Sequence, residues 1–187
     1  QIPADALCEV KRIESGNYLL DFRGRLENNM YRPTPTATQL NNHDEDELQN
    51  RFYDGLVVSK EEHKRNVPLS EILNVDNQSN PCSDYYEGDR NDPRNGVGKW
   101  RVPNLAELTV MSSDPDRFFN GATSDTYAST SFSNDQIRLA FRYSLEGKMI
   151  SCYGNWSSGQ TLEEGEGAVR CVRDATDQDF AEAQTVN

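Results

Sequence analysis

Four cysteines set far apart along the chain are the strongest constraint on its fold. They are Cys8, Cys82, Cys152 and Cys171. No two of them form a CxxC pair, and His43 and His63 are the chain's two histidines. Zinc sites usually draw their ligands from tight local pairs, so this spacing argues against a metal centre. An even number of scattered cysteines instead predicts two disulfides in an exported protein, with free core cysteines as the alternative. The sequence leaves all three disulfide pairings open.

The net charge excludes two classes of partner. The chain has 19 Lys and Arg against 31 Asp and Glu, which gives a formal charge of −12 over 187 residues. A nucleic-acid binder needs a basic face to neutralise phosphates, and an anionic lipid surface repels an acidic protein. No stretch of the sequence approaches the roughly 20 apolar residues of a membrane helix. We therefore expect no nucleic-acid partner and no direct membrane insertion.

Length and aromatic content predict a folded domain. Seven Phe, eight Tyr and two Trp are spread along the chain, which is too many for a disordered acidic segment. Residues 1–5 lack the basic and apolar regions of a signal peptide, so we expect a mature or trimmed chain.

Local patterns predict a mixture of helices and strands. The strand-like segments are residues 17–26, 126–134, 137–143, 148–153 and 168–173. Residues 44–53 and 105–112 have helical patterns, and the second helix has Asn104 as its N-cap and Glu107 in a capping-box position. The sequence thus favours the α+β class.

Two acidic regions are candidates for calcium binding. Residues 44–47 are all acidic, and Asp84, Asp89 and Asp92 lie in the polar stretch 74–98. The spacing misses the EF-hand pattern of ligands. For residues 44–47 the favoured interpretation is the first turn of a helix, which acidic residues stabilise. For residues 74–98 it is a solvated connector anchored by Cys82. No cofactor is therefore expected, and calcium is the less favoured alternative.

Catalytic motifs are missing from the sequence. His43 and His63 both lie in highly charged segments and are expected on the surface. The adjacent acids Glu163 and Glu164 would point to opposite sides of a strand, whereas glycosidase carboxylates face one another across a sugar. The sequence therefore predicts a protein that is not an enzyme.

Several short motifs in the C-terminal half follow a recognisable order. They are CSDYYE at 82–87, WRVPN at 100–104 followed by Glu107-Leu108 and Met111, STS at 129–131 and VRCVRD at 169–174. This order resembles the C-type-lectin-like module at the C-terminus of fimbrillin-like surface and pilus proteins of Gram-negative gut bacteria. That module is related to formylglycine-generating-enzyme-like folds and to the lectin folds of retroelement-diversified variable proteins. The resemblance covers about residues 80–174.

The resemblance implies an α+β, C-type-lectin-like fold. Such a fold has a small twisted antiparallel sheet, two flanking helices, long polar loops, and N- and C-terminal strands that lie side by side. Residues 76–174 would be the core, residues 1–75 would pack on it or precede it, and residues 175–187 would be a flexible acidic tail.

The resemblance also implies roles for individual residues. Cys82 would pair with Cys171, and Cys8 with Cys152. Trp100 and Pro103 would be core and turn residues. Three arginines would be structural, pointing outward and pairing with acids: Arg101, Arg170 and Arg173. The catalytic cysteine context of formylglycine-generating enzymes is absent, as are the Glu-Pro-Asn and Trp-Asn-Asp triplets of calcium-dependent lectins.

The function that these observations favour is extracellular ligand binding at the bacterial cell surface. The chain would be an adhesin-like module of a surface or pilus-tip protein that binds a glycan or protein, with other pilus subunits as further partners. The expected contacts are Arg138, Arg142, Tyr143, Tyr153, Asn155 and Trp156, because Trp and Tyr stack on sugars and Arg is frequent in binding hot spots. The alternatives are a retroelement-diversified variable protein, a structural pilus subunit and, least favoured, a glycan-acting enzyme.

Overall fold

The fold combines many short strands with three short helices in the part of the chain that the structure describes. The structure is a computed structural model. It describes residues 8–23, 55–68, 81–95, 99–103, 105–119, 126–131, 137–157 and 166–185. Within these ranges the class is α+β, as the sequence predicts.

Most of the described elements are strands. The strands are β1 Glu9–Arg12, β2 Tyr18–Asp21, β3 Gly55–Val58, β4 Lys64–Pro68, β5 Thr126–Ser131, β6 Ile137–Ser144, β7 Met149–Ser157, β8 Glu166–Val169, β9 Val172–Asp174 and β10 Gln184–Thr185. The helices are α1 Leu105–Ser112, α2 Pro115–Phe118 and α3 Asp177–Glu182. None of these helices is long and apolar enough to cross a membrane.

The strands form two five-stranded sheets, where the resemblance implies one small sheet. The first sheet has the order β10-β1-β2-β3-β9 and is antiparallel throughout. The pairing of β1 with β10 places the first and last described strands side by side, with Lys11 opposite Thr185. The pairing of β3 with β9 joins residues from both sides of the boundary predicted at residue 75.

The second sheet has the order β4-β8-β5-β6-β7. Its pairs are antiparallel except for β5 with β8, which run parallel where Thr126 lies opposite Ala168. The prediction of one strand over 168–173 is wrong. The chain leaves the second sheet after β8 and joins the first sheet as β9, so Arg170 and Cys171 lie at the crossover between the two sheets.

The central strands β2 and β3 of the first sheet are buried on both faces. Alternation along β2 sends Leu20 to one core and Leu19 to the other. The first core contains side chains from α1, α2 and β6, including Leu108, Phe118 and Tyr143. Every residue of β2 and β3 is buried, which explains why their sequences, YLLD and GLVV, show almost no polar alternation.

Helix α1 has the predicted bounds. The predicted inward residues Leu108 and Met111 are fully buried in the first core. Glu107 is also fully buried, and its Oε2 accepts a 2.6 Å hydrogen bond from Arg101. The other predicted helix, residues 44–53, lies outside the described residues, as do the candidate calcium ligands at 44–47 and His43.

The C-terminal segment is folded over residues 175–185, which corrects the expectation of a flexible tail. Helix α3 begins with a capping box in which Thr176 and Asp179 each accept a hydrogen bond from the other's backbone N–H. Asp179 is fully buried, and strand β10 then pairs with β1. The capping box and the buried carboxylate together stabilise this segment in a folded conformation, although its polar composition alone predicts a solvated chain end.

The predicted disulfide between Cys82 and Cys171 is confirmed. Both residues are fully buried, and their Cα atoms are 5.8 Å apart. The bond ties the loop before α1 to the crossover between β8 and β9. Cys8 packs beside the first core, and Cys152 lies opposite Phe141 in the register of β6 and β7. The side chain of Cys152 lies outside the described residues, so the pairing of Cys8 with Cys152 stays a prediction.

Asp21 is held as a carboxylate by two basic side chains. Lys11 Nζ lies 3.0 Å from Oδ2 of Asp21, while the backbone N–H and Nε of Arg23 each donate to Oδ1 at 3.0 Å. Burial raises the pKa of Asp21, but these hydrogen bonds outweigh burial and lower the pKa from 3.8 to about 2. Because Arg23 is half exposed, we take the contribution to stability as on the order of 1–2 kcal/mol.

We expect this contribution to disappear in acid. A depressed pKa in the folded state stabilises the protein above the unfolded-state value of about 4, and the gain is lost as the pH falls through about 2. Asp21→Asn should therefore lower the free energy of unfolding by on the order of 1–2 kcal/mol at pH 7 and match the parent near pH 2. Urea unfolding at both pH values measures this, with Glu146→Gln in an exposed turn as control. An equal deficit at both pH values would contradict the assignment.

Candidate functional site

The hairpin of β6 and β7 brings together most of the residues predicted to bind ligand. Arg138 lies opposite Trp156, and the next pair is Leu139 with Asn155. Arg142, which is four residues after Arg138 on β6, lies opposite Ser151. Cross-strand partners share a face of the sheet, so register positions 138, 156, 142 and 151 belong to one face. We call these four positions the β6–β7 surface.

A bulge interrupts the hairpin at Tyr153. Ala140 pairs with Gly154 and Phe141 pairs with Cys152, which leaves Tyr153 as the extra residue of β7. Bulges locally bend a strand and re-aim its side chains, and they are frequent beside functional sites. The structure describes only the backbone at four of these positions: Arg138, Tyr153, Asn155 and Trp156. They are therefore placed by the pairing register of the strands.

Tyr143 does not belong to the candidate surface, which corrects the prediction. Its side chain is 2% exposed and stacks on Phe119, with ring centroids 4.2 Å apart. The physical reason is strand alternation, because adjacent residues point to opposite faces. Arg142 is half-buried on the face away from this core, so Tyr143 had to face inward. The same alternation places the register position of Asn155 opposite Leu139 and off the β6–β7 surface.

The described side chains nearby show which face of the hairpin is open. Phe141 and Ile150 pack against the first core. Ser151 is exposed, and Met149 at the start of β7 is 62% exposed. The face that carries Arg142 and Ser151 is therefore accessible at this end of the hairpin.

A buried polar network forms a second candidate site that the sequence did not predict. The polar loop that precedes α1 was expected to be a solvated connector, but Glu87 and Asn95 in it are only 5% and 7% exposed. Glu87 accepts hydrogen bonds from Ser15, Asn17 and Arg173. Part of the expected connector is therefore buried around its disulfide, while residues 88–91 are exposed.

Asn95 closes this loop around Trp100. Its Oδ1 accepts a hydrogen bond from Trp100 Nε1 at 3.2 Å and from the Glu87 backbone N–H at 3.1 Å. Its Nδ2 donates to the carbonyl oxygens of Glu87 and Asp89. Trp100 is fully buried, as the resemblance implies, and Tyr85 packs edge-on against it at 4.5 Å. Burial, with the charge of Glu87 as a second cause, raises the pKa of Tyr85 to about 12.

Two carboxylates converge on Arg173 at the centre of the network. Arg173 NH1 donates to Oδ2 of Asp179 at 2.6 Å, and NH2 donates to Glu87. The side chains of Glu87 and Asp179 are at most 2% exposed. Both acids therefore face an arginine and are closed to substrate. Burial raises the pKa of Asp179, but its bonds to Arg173, Thr176 and Arg94 outweigh burial and leave the pKa below its usual value.

The three arginines predicted to point outward are buried. Arg101 and Arg173 pair with acids as expected, Arg101 with Glu107 at 2.6 Å. Arg170 instead donates from Nε to the Ser59 carbonyl at 2.9 Å and from NH1 to the Phe118 carbonyl. Its burial lowers its pKa. A guanidinium can replace its lost hydration with carbonyl hydrogen bonds, and here it ties β3 and α2 to the crossover.

Two of the three described acids considered as calcium ligands contact basic side chains, whereas Asp89 Oδ1 accepts a 2.9 Å hydrogen bond from the Asn91 backbone N–H. Asp84 Oδ1 lies 2.7 Å from His63 Nε2, and Asp84 Oδ2 lies 3.2 Å from Lys64 Nζ. Asp92 binds Arg94 at 2.8 Å. No group of three metal-ligating side chains occurs among the described residues. His63 is half-buried, with its ring edge-on to Tyr85 at 5.0 Å, where the sequence predicted a surface position.

Comparisons with protein-family models, curated proteins and solved structures found no match for this chain. The assignment of a function therefore depends on the residues and geometry described above.

Proposed function

We propose that this protein is an extracellular ligand-binding module of the adhesin type, with a C-type-lectin-like fold. It would belong to a bacterial surface or pilus-tip protein and bind a glycan or protein ligand without catalysis. The observation that carries the proposal is the register of the β6–β7 hairpin. That register sets Arg138 opposite Trp156 and Arg142 opposite Ser151 on one face of the sheet.

Two features of the fold support this proposal. The disulfide between Cys82 and Cys171 is typical of exported proteins, because the cytosol keeps thiols reduced. The adjacent strands β1 and β10 and the disulfide-closed loop both agree with the arrangement that the resemblance implies. A sheet whose register brings aromatic, basic and polar positions to one face is a suitable scaffold for binding.

A structural pilus subunit is the second candidate, and one observation favours it. Strand β7 lies at an edge of the second sheet in the described topology and is nine residues long, with no charged residue or proline. Such an edge can accept a strand from another subunit. Concentration-dependent assembly without any ligand would favour this candidate over the binding module.

Trp156 is the residue whose replacement tests the binding module. A glycan array with and without chelator identifies a ligand, and equal binding in both is expected because the sequence lacks the EF-hand spacing and the Glu-Pro-Asn and Trp-Asn-Asp triplets. Trp156→Ala should then weaken binding by about 2 kcal/mol, roughly 30-fold, because a stacked aromatic supplies hot-spot energy. Calorimetric titration measures the change.

Met149→Ala is the matched control. Met149 lies on the same strand and is 62% exposed, but it is seven residues from Trp156. Both variants should keep the parent's circular dichroism spectrum, and Met149→Ala should keep its affinity. Unchanged affinity in Trp156→Ala would show that the β6–β7 surface is not the binding site.

A further inference from the structure

The strands β5, β6 and β7 form a basic region in an acidic protein. Acidic residues make up 31 of the chain's 187 residues. These three strands contain no Asp or Glu, and Arg138 and Arg142 are their only charged residues. A negative ligand is repelled by the overall charge of −12, and the absence of acids from these strands lowers that repulsion here.

Both arginines lie on the middle strand of the three and have similar neighbours. Arg138 has Ser131 on β5 and Trp156 on β7 at its register position. Arg142 has Tyr127 on β5 and Ser151 on β7. Each arginine position is therefore flanked by one aromatic residue and one serine.

The distance between the two arginine positions suits an extended ligand. Four residues along a strand at about 3.3 Å per residue separate them by roughly 13 Å. An oligosaccharide is long enough to place one negative group near each position.

We propose that the β6–β7 surface binds an acidic oligosaccharide, whose negative groups pair with Arg138 and Arg142. The inference rests on the proposed binding function and specifies its ligand class. Guanidinium groups bind carboxylate and sulfate through paired, charge-assisted hydrogen bonds. Aromatic rings stack on sugar faces, and serine hydroxyls bond sugar hydroxyls. Two arginines also suit an acidic peptide, but each of these is flanked by one aromatic residue and one serine, which suit the face and the hydroxyls of a sugar ring.

Binding to matched ligands tests this proposal. The probes are oligosaccharides of equal length that are carboxylated, sulfated or neutral, together with a poly-glutamate peptide, each at low and high salt. We expect the carboxylated or sulfated chain to bind more tightly than the neutral one and to weaken as salt rises. The comparison of the carboxylated and sulfated arms identifies which negative group is recognised.

Single variants locate the interaction. Arg138→Gln and Arg142→Gln should each weaken binding of the acidic chain about tenfold or more. Arg142 is half-buried, so a second and more conservative variant, Arg142→Lys, is included. It keeps the positive charge but loses the paired hydrogen-bond geometry, and we expect it to lose less affinity than Arg142→Gln. Arg90→Gln makes the same charge change at an exposed loop position and should leave binding unchanged.

The outcomes separate this inference from the proposed function. If neutral and acidic chains bind equally and the arginine variants bind like the parent, the acidic-ligand inference is wrong. In that case a loss of binding in Trp156→Ala still supports the binding module. Preference for poly-glutamate over every oligosaccharide would also overturn the inference. If Trp156→Ala and the arginine variants all leave binding unchanged, the proposed function at this surface fails as well.

Discussion

Removing the disulfide between Cys82 and Cys171 should lower the free energy of unfolding by about 4–5 kcal/mol. The two cysteines are 89 residues apart, and the bond restricts the unfolded chain more as the closed loop lengthens. The variant is Cys82→Ala with Cys171→Ala, because a double replacement leaves no new thiol in the core. Urea unfolding of the parent and the variant under oxidising conditions measures the difference.

Two controls make this result specific. The parent in reducing buffer should lose at least as much stability, since reduction breaks this bond and also the Cys8–Cys152 bond if the second prediction holds. Non-reducing peptide mapping of the parent should yield a Cys82–Cys171 peptide pair and, if the second prediction holds, a Cys8–Cys152 pair. A loss below about 1 kcal/mol in the double variant would contradict this prediction. It would show that other contacts restrict this part of the chain in both the folded and the unfolded state, even without the disulfide.

The elements with strong local patterns were predictable from the sequence. Helix α1 has apolar residues at helical spacing, and strand β6 alternates apolar and polar residues, so both were located to within about a residue. The crossover between β8 and β9 was missed because Arg170 and Cys171 continue the alternation of β8. The alternation breaks where Val172 follows Cys171, which is where β9 begins, and the pairing with two different sheets shows that the run is two strands.

The candidate surface was predictable in part. Residues close in sequence on β6 and β7 meet through a short hairpin, so Arg138 and Trp156 could be expected together. Tyr143 could have been excluded, because it follows Arg142 directly and a strand alternates. The capping box at Thr176 and Asp179 was also readable, although Asp replaces the usual Glu or Gln.

The buried network had no comparable signal in the sequence. Arg173 and Glu87 are 86 residues apart, and each occurs in a segment that is highly polar or charged. Charged residues are rarely buried, so the sequence favours an exposed position for each. Their burial depends on tertiary contacts that bring the loop before α1, strand β9 and helix α3 together.

Arg173→Met should lower the free energy of unfolding by about 3–5 kcal/mol at pH 7. Methionine fills most of the volume of the arginine but leaves Glu87 and Asp179 buried without their central cation. Arg117→Met is the matched control, since Arg117 pairs with Asp114 at 2.8 Å and the two side chains are 31% and 41% exposed. A surface pair of this kind contributes about 1 kcal/mol or less. Urea unfolding of both variants measures the contrast.

The pH dependence of Arg173→Met distinguishes lost electrostatics from lost packing. In the parent, hydrogen bonds to Arg173 help to keep the pKa of Asp179 low, so Asp179 stabilises the fold at neutral pH and stops doing so in acid. Without Arg173, one of the hydrogen bonds that oppose burial is lost, so the pKa of Asp179 rises and its charge is removed at a higher pH than in the parent. The deficit of Arg173→Met relative to the parent should therefore shrink between pH 7 and about pH 4. A deficit that stays constant over this range would assign the loss to packing around Trp100, whose ring lies 5.2 Å from the Arg173 guanidinium.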